Sequence, residues 1–338
     1  YRADVIYAGK IISASPWEGK LIRLTTGCWK ASTPVCNTDP SLWGVPSGAT
    51  APAPTRAPSE ILYQFKNATG STKNTLGPVP QAPGLALDET GNTWVFAGTG
   101  RYYTQLSGTG DKVDTSVQFL VGVKDPVLQG SGGCNDATIT GCRIDDSLNN
   151  ELIDMSTATI CQLGNGTCDG TTTQQVTSVP AMPTGGTYGS LISLVQSKRG
   201  WFSKLTVPAS GPSERSVANP VVLGGIVFFP TFLPSSDVCV AAGSSNLYAL
   251  YYVTGGSYSS PIVGLSGQNI NNKTSLGEGL ATTVAIHLGS QGDGSAGTGS
   301  LSGVKGCSQS STGAINCVNT GTATTVASRY LSWINQRD

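Results

Sequence analysis

The chain has 338 residues, with 20 basic and 20 acidic side chains, so its formal net charge at pH 7 is zero. A balanced charge gives no overall field that would attract nucleic acid or an anionic membrane, and no nucleic-acid partner is expected. Only 12% of the residues are charged, whereas a hydrophobic content of 38% is sufficient for a core, which excludes wholesale disorder.

Short apolar runs separated by turn residues recur along the whole chain and predict β-strands. The 44 glycines and 19 prolines favour many hairpins over long helices. We therefore predict a single all-β domain over residues 1–338, with a β-propeller favoured over a β-sandwich. The clearest predicted strands are 5–8, 20–24, 61–65, 93–97, 117–123, 200–205, 221–232, 246–253 and 282–288.

One segment interrupts the strand pattern. Residues 145–160 place Leu148, Leu152 and Met155 at helical spacing, and an Asp or Ser is available as the N-cap. We predict a short helix here, inserted into a loop.

Three further segments predict surface excursions and a docked terminus. Residues 44–59 are rich in Pro, Ala, Ser and Thr and are expected to form a long surface loop. Residues 289–325 are almost entirely Gly, Ser, Thr and Asn, and predict a flexible or β-looped excursion. Residues 326–334 predict a final strand or short helix.

The nine cysteines indicate an oxidising compartment. Metal binding would need C-x-x-C clusters or nearby histidines, whereas these cysteines fall in close pairs and the chain has one histidine. Loop-closing disulfide bonds are the better interpretation, although pairing by neighbourhood is a hypothesis. Cys239 is either a buried free thiol or bonded to a partner outside the chain. The expected pairs are Cys28 with Cys36, Cys134 with Cys142, Cys161 with Cys168, and Cys307 with Cys317.

The search for catalytic residues yields none that we assign. His287 alternates within a strand and is interpreted as structural, and no nucleophile elbow, zinc-protease helix or P-loop occurs. Two aspartate pairs could bind a hard cation, but aspartates in loops usually form turns or caps. Trp17, Trp29 and Trp43 lie in loop-like surroundings and could stack on a sugar. The two aspartate pairs are Asp111 with Asp114, and Asp145 with Asp146.

Four groups of segments, in the same order along the chain, together resemble the propeller domain of PilY-type proteins, the tip adhesins and biogenesis factors of type IV pili. They are residues 4–9 (DVIYAG) with 19–24 (GKLIRL); 94–102 (WVFAGTGRY) with 118–125; 200–202 (GWF) with 214–221 (ERSVANPV); and 234–239 with 243–248 (GSSNLY).

The resemblance implies a calcium loop directly before the first strand. By position, Asp4 would supply the last carboxylate of this loop, and Arg2 would coordinate the ion through its backbone carbonyl. The other acidic ligands would precede Tyr1. Calcium requires several oxygen ligands, so Asp4 alone cannot hold the ion. We expect the chain to be the C-terminal part of a longer secreted protein, with residues before Tyr1 closing the propeller.

The resemblance also implies a function. It predicts a non-enzymatic, extracellular pilus protein that presents loops for adhesion or assembly. The implied partners are minor pilins or pilus tip subunits, the upstream part of the same protein, and a host, neighbouring-cell or abiotic surface. Two alternatives remain: a secreted propeller enzyme (a quinoprotein-like dehydrogenase or a glycan hydrolase), and a lectin-like module.

Overall fold

The fold was taken from a computed structural model of the chain. It describes residues 5–14, 17–26, 39, 43–47, 55–66, 72–73, 76–103, 110–128, 142–146, 151–162, 174–182, 185–235, 243–288 and 304–323.

The described residues are nearly all in strands and turns, which confirms the predicted all-β class. The strands are β1 (Val5–Ile12), β2 (Glu18–Thr25), β3 (Val45–Ser47), β4 (Thr55–Ala57), β5 (Ser59–Glu60), β6 (Leu62–Lys66), β7 (Thr72–Lys73), β8 (Gly84–Leu87), β9 (Thr93–Gly98), β10 (Phe119–Lys124), β11 (Ile144–Asp145), β12 (Leu152–Asp154), β13 (Thr159–Ile160), β14 (Val176–Thr177), β15 (Gly200–Lys204), β16 (Val221–Leu223), β17 (Ile226–Leu233), β18 (Ser244–Tyr251), β19 (Leu265–Ser266), β20 (Asn269–Ile270), β21 (Lys273–Glu278), β22 (Ala285–Leu288), β23 (Val304–Gln309) and β24 (Ile315–Asn319). A 3-10 turn spans Asp111–Val113, and helix α1 spans Tyr188–Gln196.

A five-stranded sheet of order β12-β15-β10-β9-β8 lies in the middle of the structure. Every residue of β10 is buried, because both faces of this sheet are covered. One face packs with Leu21 of β2 and Leu62 of β6. The other packs against β17, β18 and α1 through a core that contains Trp94 and Trp201.

A four-stranded sheet of order β16-β17-β18-β21 forms the next layer. Its first two strands are a hairpin whose turn residues, Gly224 and Gly225, both have positive φ (54° and 79°). A two-residue turn with that geometry matches the twist of the flanking strands. The single strand predicted over 221–232 is therefore wrong, and two antiparallel strands replace it.

Successive sheets pack face to face, as the blades of a propeller do. The sheet β1-β2-β5 precedes the central one, and the sheet β22-β23-β24 follows the four-stranded one, with Ile286 and Val318 against the shared core. Closure of these layers into a ring stays a prediction.

The helix predicted over 145–160 does not extend through this segment. Asp146 is helical, residues 147–150 lie outside the described residues, and Leu152–Asp154 forms β12, which pairs in parallel with β15 and buries Leu152 and Ile153. The carboxylate of Asp146 accepts a hydrogen bond from the Leu152 backbone N–H. The open edge of β15 supplies a partner that sequence spacing does not reveal.

Helix α1 was not predicted. Its N-cap is Thr187, whose hydroxyl accepts a hydrogen bond from the Ser190 backbone, and Leu191 and Val195 face the core one turn apart. No helix in the described residues is both long enough and apolar enough to span a bilayer.

The Gly- and Ser-rich region near the C-terminus contains ordered structure. Strands β23 and β24 form a hairpin with Cys307 opposite Cys317, and the two cysteines form the expected disulfide bond. The β-looped alternative holds for residues 304–319, and a flexible loop there is wrong. Residues 326–334 lie outside the described part of the chain.

Candidate functional site

A charged network that we call the clamp holds the chain on both sides of residues 104–109. The Arg101 guanidinium donates to the Asp111 carboxylate at 2.7 Å, and the same carboxylate accepts the Tyr103 backbone N–H at 2.8 Å. Asp111 is buried, so this ion pair is shielded from solvent. The clamp consists of Arg101, Asp111 and Arg215.

Arg215 completes the clamp from a distant part of the chain. Its guanidinium donates to the backbone carbonyls of Arg101, Asp111, Asp114 and Ser213. A buried guanidinium can satisfy several carbonyls at once because its donors form a rigid planar fork. The segment that ends β9 and the 3-10 turn are thereby fixed to the segment before β16.

Glu214, next to Arg215, is fully buried and links β17 to β18. Thr231 of β17 and Asn246 of β18 donate to one carboxylate oxygen at 2.6 and 2.9 Å, and Tyr248 donates to the other at 3.1 Å. Burial would raise the pKa of Glu214, but these hydrogen bonds and the charge of Lys273 outweigh it and lower the pKa. Glu214 is thus ionised and fully engaged in structural bonds.

A second buried ion pair, which we call the anchor, joins the first sheet to the central one. Arg23 of β2 donates to Asp125 at 2.6 Å and to the Cys142 carbonyl at 2.6 Å. Tyr7, opposite Arg23 on β1, donates its hydroxyl to Asp125 at 2.7 Å. Burial and the Asp125 charge raise the pKa of Tyr7, so the phenol stays protonated. Cys142 is disulfide-bonded, and the anchor therefore fixes one end of a covalently closed segment.

Two residues next to the clamp, Tyr103 and Val113, expose apolar side chains. Tyr103 is 56% exposed and Val113 is 54% exposed, although both lie on backbone that the clamp holds rigidly. The ring of Trp17 packs on the Arg101 guanidinium at 3.6 Å from its centroid, so one face of this indole is already covered. A rigid platform with exposed apolar groups is suited to contact with another molecule.

The predicted site residues fall into separate places. Asp111 belongs to the clamp, and the Asp114 carboxylate accepts a hydrogen bond from the Ser116 backbone N–H. Asp146 closes the loop before β12. His287 is exposed on β22.

The cysteine and calcium predictions are only partly covered by the described residues. Cys142 and Cys161 are both disulfide-bonded. Asp4 lies outside the described residues, so its role in calcium binding stays a prediction. No group of three or more acidic, His or Cys side chains within the described segments could hold a metal ion. Five cysteines also lie outside the described residues: Cys28, Cys36, Cys134, Cys168 and Cys239. The sugar-stacking candidate Trp29 lies outside the described residues as well.

The segments that carry the resemblance include Arg23, Arg101 and Glu214, but the sequence alone predicted no role for these three residues. For Arg23 the signal is a charged residue inside an apolar run, in a chain with only 12% charged residues. Arg101 follows Gly-Thr-Gly, and Glu214 lies between a serine and an arginine, so neither carries that signal. A buried charge in such a run requires a partner. The identity of the partner is invisible in sequence, since Arg23 and Asp125 are 102 positions apart.

Comparison with known proteins shows similarity both to a curated protein sequence and to a solved structure. The "Type IV pilus biogenesis factor PilY1 homolog" of Xylella fastidiosa is 47% identical over 62 residues, which is 18% of this chain and 4% of that protein. The crystal structure of the Pseudomonas aeruginosa PilY1 C-terminal domain matches 93% of this chain and 60% of its own chain, with a TM-score of 0.50 and 15% identity. No protein-family model matches the chain.

These similarities confirm the resemblance drawn from the sequence. The chain is similar to the PilY1-type C-terminal domain, and at 15% identity the structural match establishes a shared fold. The matched region covers 4% of the curated relative and 60% of the solved structure, which is less than two thirds of either length.

Proposed function

We propose that this chain is part of a non-enzymatic, type IV pilus-associated surface protein that serves as a tip adhesin, a pilus assembly factor, or both. The sequence similarity to a pilus biogenesis factor carries the proposal. The shared fold with the PilY1 C-terminal domain supports it independently, because that match extends over 93% of the chain.

The buried networks support a scaffold role. The clamp and the anchor use five buried charged side chains to tie loop ends to sheets, and each of these five has a hydrogen-bond partner within the protein. A rigid frame lowers the entropic cost of holding a contact surface in one shape. The Cys307–Cys317 disulfide is consistent with export to an oxidising compartment and location at the cell surface.

We assign the contact surface to the exposed face of the clamp, with pilus subunits such as minor pilins as the partner for assembly. Tyr103 and Val113 would supply its apolar centre. Interface centres are enriched in aromatic residues and poor in charge, which fits this pair.

Deletion of the gene in the bacterium that encodes it, followed by complementation, tests the proposal. We expect fewer surface pili or weaker attachment in the deletion strain, restored by the intact protein. The double variant Y103S/V113S should complement poorly. Leu87→Ser alters a 70% exposed leucine that pairs with Thr93, at the opposite end of β9 from the clamp, and should complement fully. Normal piliation with lost attachment indicates an adhesin, and lost piliation indicates an assembly factor. A deletion strain with normal pili and attachment would contradict the proposal.

Calcium binding at the start of β1 is part of the proposal. Asp4 would supply one carboxylate, with the remaining ligands upstream in the same protein. We expect Asp4→Ala in the intact protein to weaken calcium affinity at least about tenfold, measured by calorimetry. Equal affinity in the two proteins would remove Asp4 from the site.

A further inference from the structure

A polar pocket of about 440 Å³ lies at one end of the central sheet, where β10 ends and β12 and β15 begin. Its volume is within the range of small-ligand sites and large enough for one sugar ring. It is distinct from the clamp and the anchor, since it shares no residue with either. The lining residues are Asn92, Lys124, Glu151, Gln196, Ser197, Lys198 and Arg199.

The pocket carries an excess of positive charge. Three of its lining side chains are cationic and only Glu151 is anionic. Glu151 is a weak counterion, because one of its oxygens accepts the Asp145 backbone N–H and the other is 3.9 Å from the Arg199 Nε. Within the described residues, no ion pair involves Lys198.

Lys124 is one of these three cations. Its ammonium group donates to the Gln196 carbonyl at 2.7 Å, which fixes it at the pocket wall. Burial lowers the pKa of Lys124, and the nearby charge of Arg199 lowers it further, against the opposing attraction of Asp88. An anion in the pocket would relieve the repulsion between these two cations.

The wall favours a monoanion over a dianion. Its net attraction grows in proportion to the charge of the ligand, whereas the cost of removing the ligand from water grows with the square of that charge. The end of α1 at Gln196 is a helix C-terminus, whose partial negative charge reduces the net attraction for any anion. Arg199 can form two parallel hydrogen bonds with a carboxylate, and Gln196 and Ser197 offer neutral partners for hydroxyl groups.

We propose that this pocket binds an acidic saccharide, with Arg199 and Lys198 receiving the carboxylate of a uronic-acid-type sugar unit. This binding activity goes beyond pilus association and does not depend on it, because it belongs to other residues and is measured on the protein alone.

Calorimetric titration of the intact protein with glucuronate at low ionic strength tests the proposal, with glucose and inorganic phosphate as comparison ligands. We expect saturable binding of glucuronate, no binding of glucose, and weaker binding of phosphate. Arg199→Gln should weaken glucuronate binding about 10- to 100-fold, as expected for loss of a charged hydrogen-bonded pair. Glu151→Gln should tighten it about three- to tenfold because the repelling carboxylate is gone.

The controls separate a site from general charge or misfolding. Lys305→Gln removes an exposed cation on β23, away from the pocket, and should leave glucuronate affinity unchanged. An unchanged thermal midpoint for Arg199→Gln will show that the fold is intact. Absence of saturable glucuronate binding, equal binding of glucose, tighter binding of phosphate, or equal effects of Arg199→Gln and Lys305→Gln would each overturn the proposal.

Discussion

The anchor offers the sharpest test of how this low-charge chain is held together. Asp125→Asn keeps the volume of the side chain but removes its negative charge. Arg23, 1% exposed, would then remain buried without the carboxylate that accepts its hydrogen bond at 2.6 Å. The same substitution weakens the acceptor for the Tyr7 hydroxyl and for the Val127 backbone N–H.

The expected cost follows from the burial of both partners. Removing one member of a buried, hydrogen-bonded ion pair typically costs about 3–5 kcal/mol, because the remaining charge stays desolvated. The surface pair of Lys20 and Glu60 is a matched control, since its side chains are 19% and 25% exposed and solvent screens their attraction. Glu60→Gln should therefore cost about 0–1 kcal/mol.

Urea denaturation of the 338-residue chain, followed by tryptophan fluorescence, measures both free energies of unfolding. The midpoint should fall strongly for Asp125→Asn and hardly at all for Glu60→Gln, with similar slopes. Tyr7→Phe should fall between them, because it removes one hydrogen bond to a charged group, worth about 1.5–3 kcal/mol. If Asp125→Asn and Glu60→Gln lowered stability equally, the reasoning that the anchor joins the two sheets would be refuted.

Three other predictions address the hairpins and turns. Asp88 accepts five hydrogen bonds, which together outweigh the effect of burial and lower the pKa of its carboxyl to about 2. The stability that the ionised carboxylate contributes is therefore complete above about pH 4 and is lost as the pH falls towards 2. In Asp88→Asn the free energy of unfolding should fall less on acidification than it does in the native protein. The double variant C307S/C317S should lose about 2–3 kcal/mol, as the chain-entropy model gives for a short closed loop, and equal stability of the native and variant proteins in urea would exclude that contribution. Gly255 has a φ of 71°, and a Cβ added there would lie 2.1 Å from the buried indole ring of Trp201. Gly267 is the control, because it shares the positive φ (61°) but faces open space. Gly255→Ala should therefore cost about 1–3 kcal/mol more than Gly267→Ala, as measured by thermal unfolding of the two variants.

Much of the fold could be predicted because strand formation here depends on local pattern. In β2 (EGKLIRLT) buried and partly exposed residues alternate, which is the period of a half-buried strand. The hairpin of β16 and β17 was missed because the run 221–232 is apolar on both sides of Gly224 and Gly225, although two glycines between apolar segments are a signal for a hairpin turn. The positive φ values of the two glycines settle the point only in the structure.

The segment 145–160 shows the limit of short periodic patterns, because the predicted helix does not continue into Leu152–Asp154. Three apolar residues at helical spacing also fit a buried strand if a neighbouring strand offers hydrogen bonds, and β15 does so for Leu152–Asp154. Helix α1 was missed for the converse reason. Its Thr187 cap and its Leu191–Val195 spacing were present in the sequence, but the segment is short and surrounded by turn residues.

The sequence by itself determined the strand-rich class, the close cysteine pairing of Cys307 with Cys317, and the resemblance to PilY-type domains, since each depends on residue types at short separation. Only the tertiary structure decided which buried charges meet. Arg215 reaches the carbonyl of Arg101 across 114 positions, and Arg23 meets Asp125 across 102. The physical reason is that an unpaired charge is costly to bury. A charged residue in an apolar strand therefore predicts that a partner exists, but the packing of the sheets determines which residue that partner is.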